Sequence, residues 1–100
     1  MKIRLSNVSE FDFENITLKT HQNNVSFDDL NSGQKTNYKE FELAYRYAFV
    51  ELDINGETYT YRPMDYVGET QLENGHYTYE INVDDLDNQS NQLILKLIEK

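Results

Sequence analysis

The stretch "LAYRYAFVELDINGETYTYRP", residues 43–63, constrains the fold more than any other part of the chain. Its apolar residues recur with a period of two, as in a strand with one buried face. At its centre Asn55–Gly56 is a two-residue connection of the hairpin type, because both turn positions need positive φ. Pairing across that turn sets Ile54 opposite Glu57, Leu52 opposite Tyr59 and Val50 opposite Tyr61, all on one face with Ala48. The other face carries Phe49, Glu51 and Asp53 across from Arg62, Thr60 and Thr58. One face is mainly apolar and the other mixed, as in an antiparallel sheet wetted on one side.

The same period runs through most of the chain. "KIRLSNV" alternates through Ile3 and Leu5. "FDFENITLKT" starts on the parity of Phe11 and Phe13 and changes to Ile16 and Leu18, which predicts a bulge near Glu14–Asn15. "VSF" offers Val25 and Phe27 for a short strand. "HYTYEINVD" alternates strictly, with Tyr77, Tyr79, Ile81 and Val83 inward. In "NQLILKLIE" Leu93, Leu95 and Leu97 fit a strand, while Leu93, Ile94, Leu97 and Ile98 also fit a helical stripe; the neighbouring strands favour the strand. "SFDDLNSGQKTNYKEF" carries mixed signals around a turn at Asn31–Gly33. The pattern predicts about seven short strands in a two-sheet sandwich. Leu72, Gly75 and Tyr77 resemble the turn before the penultimate strand of immunoglobulin-like sandwiches, where a corner tyrosine bonds back to the preceding loop. Tyr77 and Tyr79 are both candidates for that tyrosine.

Composition narrows the function. One hundred residues make one domain, 1–100, with 38% hydrophobic residues, eight tyrosines and no tryptophan. Tyrosine suits a half-buried pleated surface, ring inward and hydroxyl at the rim. Eighteen acidic against nine basic residues give a net charge of −9, and the cations are scattered, which argues against nucleic acid and anionic membrane partners. The absence of cysteine removes disulfides, thiolate catalysis and cysteine-based metal sites. No apolar run approaches a transmembrane span, and the chain opens directly on strand-like alternation with no signal peptide.

No constellation of catalytic residues emerges. His21 and His76 lack partners at metal-ligand spacing and read as surface or strand-end residues. Asp28–Asp29 and the Asp84–Asn91 segment are carboxylate-rich, but the second lacks the loop glycine and terminal glutamate of an EF-hand. A solvated loop is expected there, with a calcium loop as the alternative. Neither a nucleophile motif nor a phosphate loop occurs, so the expectation is a protein that is not an enzyme and takes no cofactor. The sequons at Asn7, Asn15, Asn24 and Asn88 are what eleven asparagines give by chance. In "YTYRPMDYVGE", Tyr59 and Tyr61 share the apolar face, Pro63 ends the strand, and Asp65 and Gly68 are turn residues. The candidate contacts to a ligand or partner are Arg62, Met64, Asp65, Tyr66 and Glu69, joined by Tyr45 and Tyr47.

The succession "AYRYAFVELDINGETY", "RPMDYVGE" and "LENGHYTYEINV" resembles a set of small, uncharacterised exported proteins of Gram-negative anaerobes, described as lipoproteins with an immunoglobulin-like sandwich. The block Asp65 to Glu69 is the most distinctive part of the resemblance. It implies a β-sandwich in the cell envelope and brings no activity or catalytic residue with it. Such proteins carry an export signal and a lipid-bearing cysteine that are missing here, so an envelope location assumes a trimmed chain, with a cytoplasmic one as the alternative. The expectation is an all-β, immunoglobulin-like antiparallel sandwich acting as a non-catalytic envelope module for protein interaction or structure. A small carbohydrate-binding domain using Tyr45, Tyr47 and Tyr66 is the alternative, and a weak hydrolase the remote one.

Overall fold

The computed structural model describes residues 1–19, 24–41, 48–62, 72–83 and 93–99. Eight strands follow in order: β1 (Lys2–Asn7), β2 (Glu14–Lys19), β3 (Asn24–Phe27), β4 (Lys39–Glu40), β5 (Phe49–Ile54), β6 (Glu57–Tyr61), β7 (His76–Val83) and β8 (Leu93–Glu99). They form two four-stranded sheets, a hairpin sheet ordered β3-β2-β5-β6 and a terminal sheet ordered β4-β1-β7-β8. The chain is the expected all-β two-sheet sandwich, and there is no helix among the described residues.

The β5–β6 hairpin has the expected register, with Ile54 against Glu57, Leu52 against Tyr59 and Val50 against Tyr61. Asn55 and Gly56 stand at φ 52° and 82°, the left-handed pair that lets the turn match the twist of its strands. Val50, Leu52 and Ile54 are buried, and Tyr59 and Tyr61 pack half-buried against the same core. In β2 the pairing with β5 shifts between Glu14 and Thr17, and Asn15 takes φ 51°. This is the bulge that the parity change predicts. It turns Phe13, Ile16 and Leu18 into the core together. Asparagine tolerates that conformation, and the Asn15 Nδ2 donates a 2.9 Å hydrogen bond to Asp53 Oδ2 on the neighbouring strand.

The terminal sheet departs from expectation in one respect. β1 pairs with β7 in parallel, Lys2 beside His76 through Asn7 beside Ile81, so the sandwich is mixed rather than purely antiparallel. Parallel neighbours need a long crossover, and here the whole hairpin sheet lies between them in sequence. The eighth strand, β4, is two exposed residues on the sheet edge, paired as Lys2 with Glu40 and Ile3 with Lys39. With no inward side chain in β4, no hydrophobic period announced it. β8 is a strand: Leu93 and Leu95 are buried while Ile94 between them is 48% exposed, which a helical stripe grouping Leu93 with Ile94 would not give.

Tyr77 is the corner tyrosine. Its hydroxyl donates a 2.6 Å hydrogen bond to the Glu73 carbonyl in the approach to β7, and its ring is buried. Tyr79 is instead buried at the centre of the core, beside Leu5 in the parallel register. At the end of β1 the core accepts one amide. Asn7 is fully buried, its Nδ2 donating to the carbonyls of Phe11 and Leu30 and its Oδ1 accepting from the backbone and hydroxyl of Ser9. Both donors and both lone pairs are thereby used, as burial of an amide demands. The sequon nitrogen at Asn7 is thus spent inside the fold.

Candidate functional site

Because β5 and β6 are antiparallel, the chain enters β5 through Ala48 and leaves β6 through Arg62 at the same end of the hairpin sheet. β2 brings Lys19 to that end, directly opposite Phe49. Phe49 has the outward parity of β5, since Val50, Leu52 and Ile54 take the inward one. Its ring is half-buried and flanked by two cations: Lys19 Nζ lies 4.8 Å from the ring centroid and the Arg62 guanidinium carbon 5.5 Å. Each such contact stabilises by about 0.5–1 kcal/mol at an exposed site.

The two cations are not equivalent. Lys19 also pairs with Glu51 at 3.9 Å, but both side chains are about two-fifths exposed, so the pair contributes roughly 0–1 kcal/mol. Arg62 is exposed, and no described carboxylate pairs with it. In a chain with twice as many acids as bases, an exposed arginine held over an aromatic ring is a ready recognition group.

Of the seven candidate contact residues, Arg62 is described and stands in this cluster. Tyr45, Tyr47, Met64, Asp65, Tyr66 and Glu69 lie outside the described residues, as do His21 and the Asp84–Asn91 segment. Phe49 and Lys19 are not among the sequence-derived candidates. The signal was there: Phe49 is the large apolar side chain on the otherwise polar side of β5.

His76 is exposed at the start of β7, its ring edge-on to Tyr38 at 4.9 Å and 83°. Tyr38 lies 4.6 Å beneath the Arg4 guanidinium, and Arg4 Nε donates to Thr78 Oγ1 at 3.0 Å. This stack fastens the approach to β4 against the terminal sheet. Among the described residues no three histidine, aspartate or glutamate side chains gather as metal ligands, and no helix is long and apolar enough to cross a membrane.

No family model matches the chain, and no curated protein matches it in sequence. Among solved structures it is similar to the NMR structure of a protein from Eubacterium rectale, with a TM-score of 0.64 at 20% identity. The match covers 95% of this chain and 86% of the other. A likeness at that identity concerns the fold, which it supports over nearly the whole length of both chains.

Proposed function

We propose that the chain is a non-catalytic, cell-envelope protein-interaction module that meets its partner at the Phe49–Arg62 end of the hairpin sheet. The observation that carries this is the exposed Arg62 guanidinium held against the Phe49 ring with no described carboxylate to neutralise it. Aromatic and arginine side chains dominate the energetics of protein interfaces, because each joins a large apolar area to directed donors. The segments bearing Tyr45 and Tyr47, and Met64 to Glu69, flank this end in sequence, joining the sheet through Ala48 and Arg62. The resemblance to exported lipoproteins supports the envelope location.

Affinity capture from an envelope fraction tests the interaction. A partner retained by the wild-type chain and lost with Arg62→Ala, at an unchanged melting temperature, is the expected result. Equal capture by Arg62→Ala and Phe49→Ala would remove this surface from the proposal. Fractionating cells that express the native gene tests the location independently.

A further inference from the structure

We propose that the groove between the β3 exit and the approach to β4 binds a neutral oligosaccharide chain. This site lies apart from Phe49 and Arg62 and does not rest on the partner reading. The groove has a volume of about 440 Å³, within the range of small-ligand sites. Phe27 and Leu30, both nearly buried, form its apolar floor. Asp28 and Asp29 line one wall, and the chain from Gln34 to Lys39 the other.

The groove is built across the two sheets and held in shape from both sides. Lys39 Nζ donates a 2.9 Å hydrogen bond to the Ser26 carbonyl and stands 5.0 Å from the Phe27 ring centroid, which ties β4 to β3. On the far wall, Thr36 accepts from the Leu5 amide through its hydroxyl and donates its own amide to the Leu5 carbonyl. Tyr38 is fixed between Arg4 and His76. A wall so fastened loses little freedom when a ligand settles.

Charge selects the ligand. Two aspartates and two lysines face the groove, so its formal charge cancels inside a chain of net charge −9. A polyanion would meet the carboxylates and the field of the whole chain, and a polycation would meet the lysines. Among the described residues the Asp28 carboxylate and the Lys35 ammonium have no partner, so an acceptor and a donor on lining residues are available to a ligand. A sugar hydroxyl donates and accepts at once, and charge-assisted hydrogen bonds to it are the stronger kind. A second open depression of about 620 Å³ continues past Asp28 and Asp29 along β2 and β3, which gives a polymer a path beyond one residue.

The test is a titration of the isotope-labelled whole chain with cellohexaose, maltohexaose and xylohexaose, followed by amide chemical shifts. At least one hexamer is expected to move the amides of residues 27–29 and 35–39 with an affinity of roughly millimolar or tighter. Lys35→Met and Asp28→Asn, each with an unchanged melting temperature, are expected to weaken that binding about tenfold. Because the ligand is neutral, added salt should leave the affinity unchanged within about twofold. No response to any hexamer, shifts centred on Phe49 and Arg62, or wild-type affinity in Lys35→Met would each overturn the proposal. So would a neutral extended peptide that moves the same amides when no sugar does.

Discussion

The Tyr77 hydroxyl donates a 2.6 Å hydrogen bond to the carbonyl of Glu73, four residues upstream, and so pins the approach to β7 onto the sandwich. Tyr77→Phe keeps the buried ring and deletes only this bond. The expected loss is about 0.5–1.5 kcal/mol in urea denaturation, with the slope of the transition unchanged. Tyr77→Ala removes the ring as well and is expected to cost about 3–5 kcal/mol. A Phe variant as stable as wild type would show that the corner bond contributes nothing.

Asn7 is the polar centre of the core, and its two substitutions separate shape from hydrogen bonding. Asn7→Asp preserves the outline but places a carboxylate oxygen against the carbonyls of Phe11 and Leu30, where the amide donated at 2.6 and 3.0 Å. Asn7→Ala leaves the Ser9 backbone amide without its acceptor and takes one donor from each carbonyl, Leu30 keeping the Phe13 amide and Phe11 the Ser9 hydroxyl. An unsatisfied buried group costs about 1–3 kcal/mol and each further lost bond about 0.5–1.5 kcal/mol, so Asn7→Ala is expected to lose roughly 2 kcal/mol or more. Asn7→Asp should be at least as damaging at neutral pH, because a buried unpaired charge costs more than a lost bond. Thermal unfolding of both variants checks the order.

At the hairpin turn, Gly56 has φ 82° and open space where a Cβ would stand. Gly56→Ala therefore isolates the backbone penalty of the left-handed region, about 1–2 kcal/mol, with no steric clash to confuse it. A melting temperature equal to wild type would mean that the turn relaxes to another type at no cost.

The two faces of β8 should respond in opposite ways. Leu95 is 7% exposed and Ile94 is 48% exposed. Leu95→Ala is expected to cost about 2–5 kcal/mol, whereas Ile94→Ala should stay within roughly 1 kcal/mol. Equal losses at the two positions would contradict the strand alternation.

Phe49→Ala and Arg62→Ala should leave the fold almost untouched, because the contact they share is worth about 0.5–1 kcal/mol. Their effect should appear in partner capture alone. A large fall in melting temperature for either would recast the cluster as structural.

Where a side chain had to choose between core and water, its place was legible beforehand. The hairpin register follows from Asn55–Gly56 and the alternation of Val50, Leu52 and Ile54, and the β2 bulge from the parity step between Phe13 and Ile16. Periodicity is silent about β4, whose two residues are both exposed. It is equally silent about which strands lie side by side, so the parallel partnership of β1 and β7 had no local signal. The Phe49 cluster and the Asp28–Lys39 groove were hidden for a related reason. The first joins Lys19, Phe49 and Arg62 from separate parts of the chain, and the second takes shape only when the segment linking β3 to β4 is tied down by Lys39 on Ser26.

The β1–β7 partnership also sets a timetable for folding. Arg4 and Thr78 stand 74 residues apart in sequence yet share a hydrogen bond, so β1 gains its β7 neighbour only through a long-range closure, whereas β4 reaches its other edge sooner. The hairpin sheet needs nothing beyond Tyr61 and can close earlier. Until the β1–β7 closure, β1 is open along the edge that β7 covers. Closing that separation is the entropically demanding step, and until it is made this edge of β1 is the one most exposed to wrong partners.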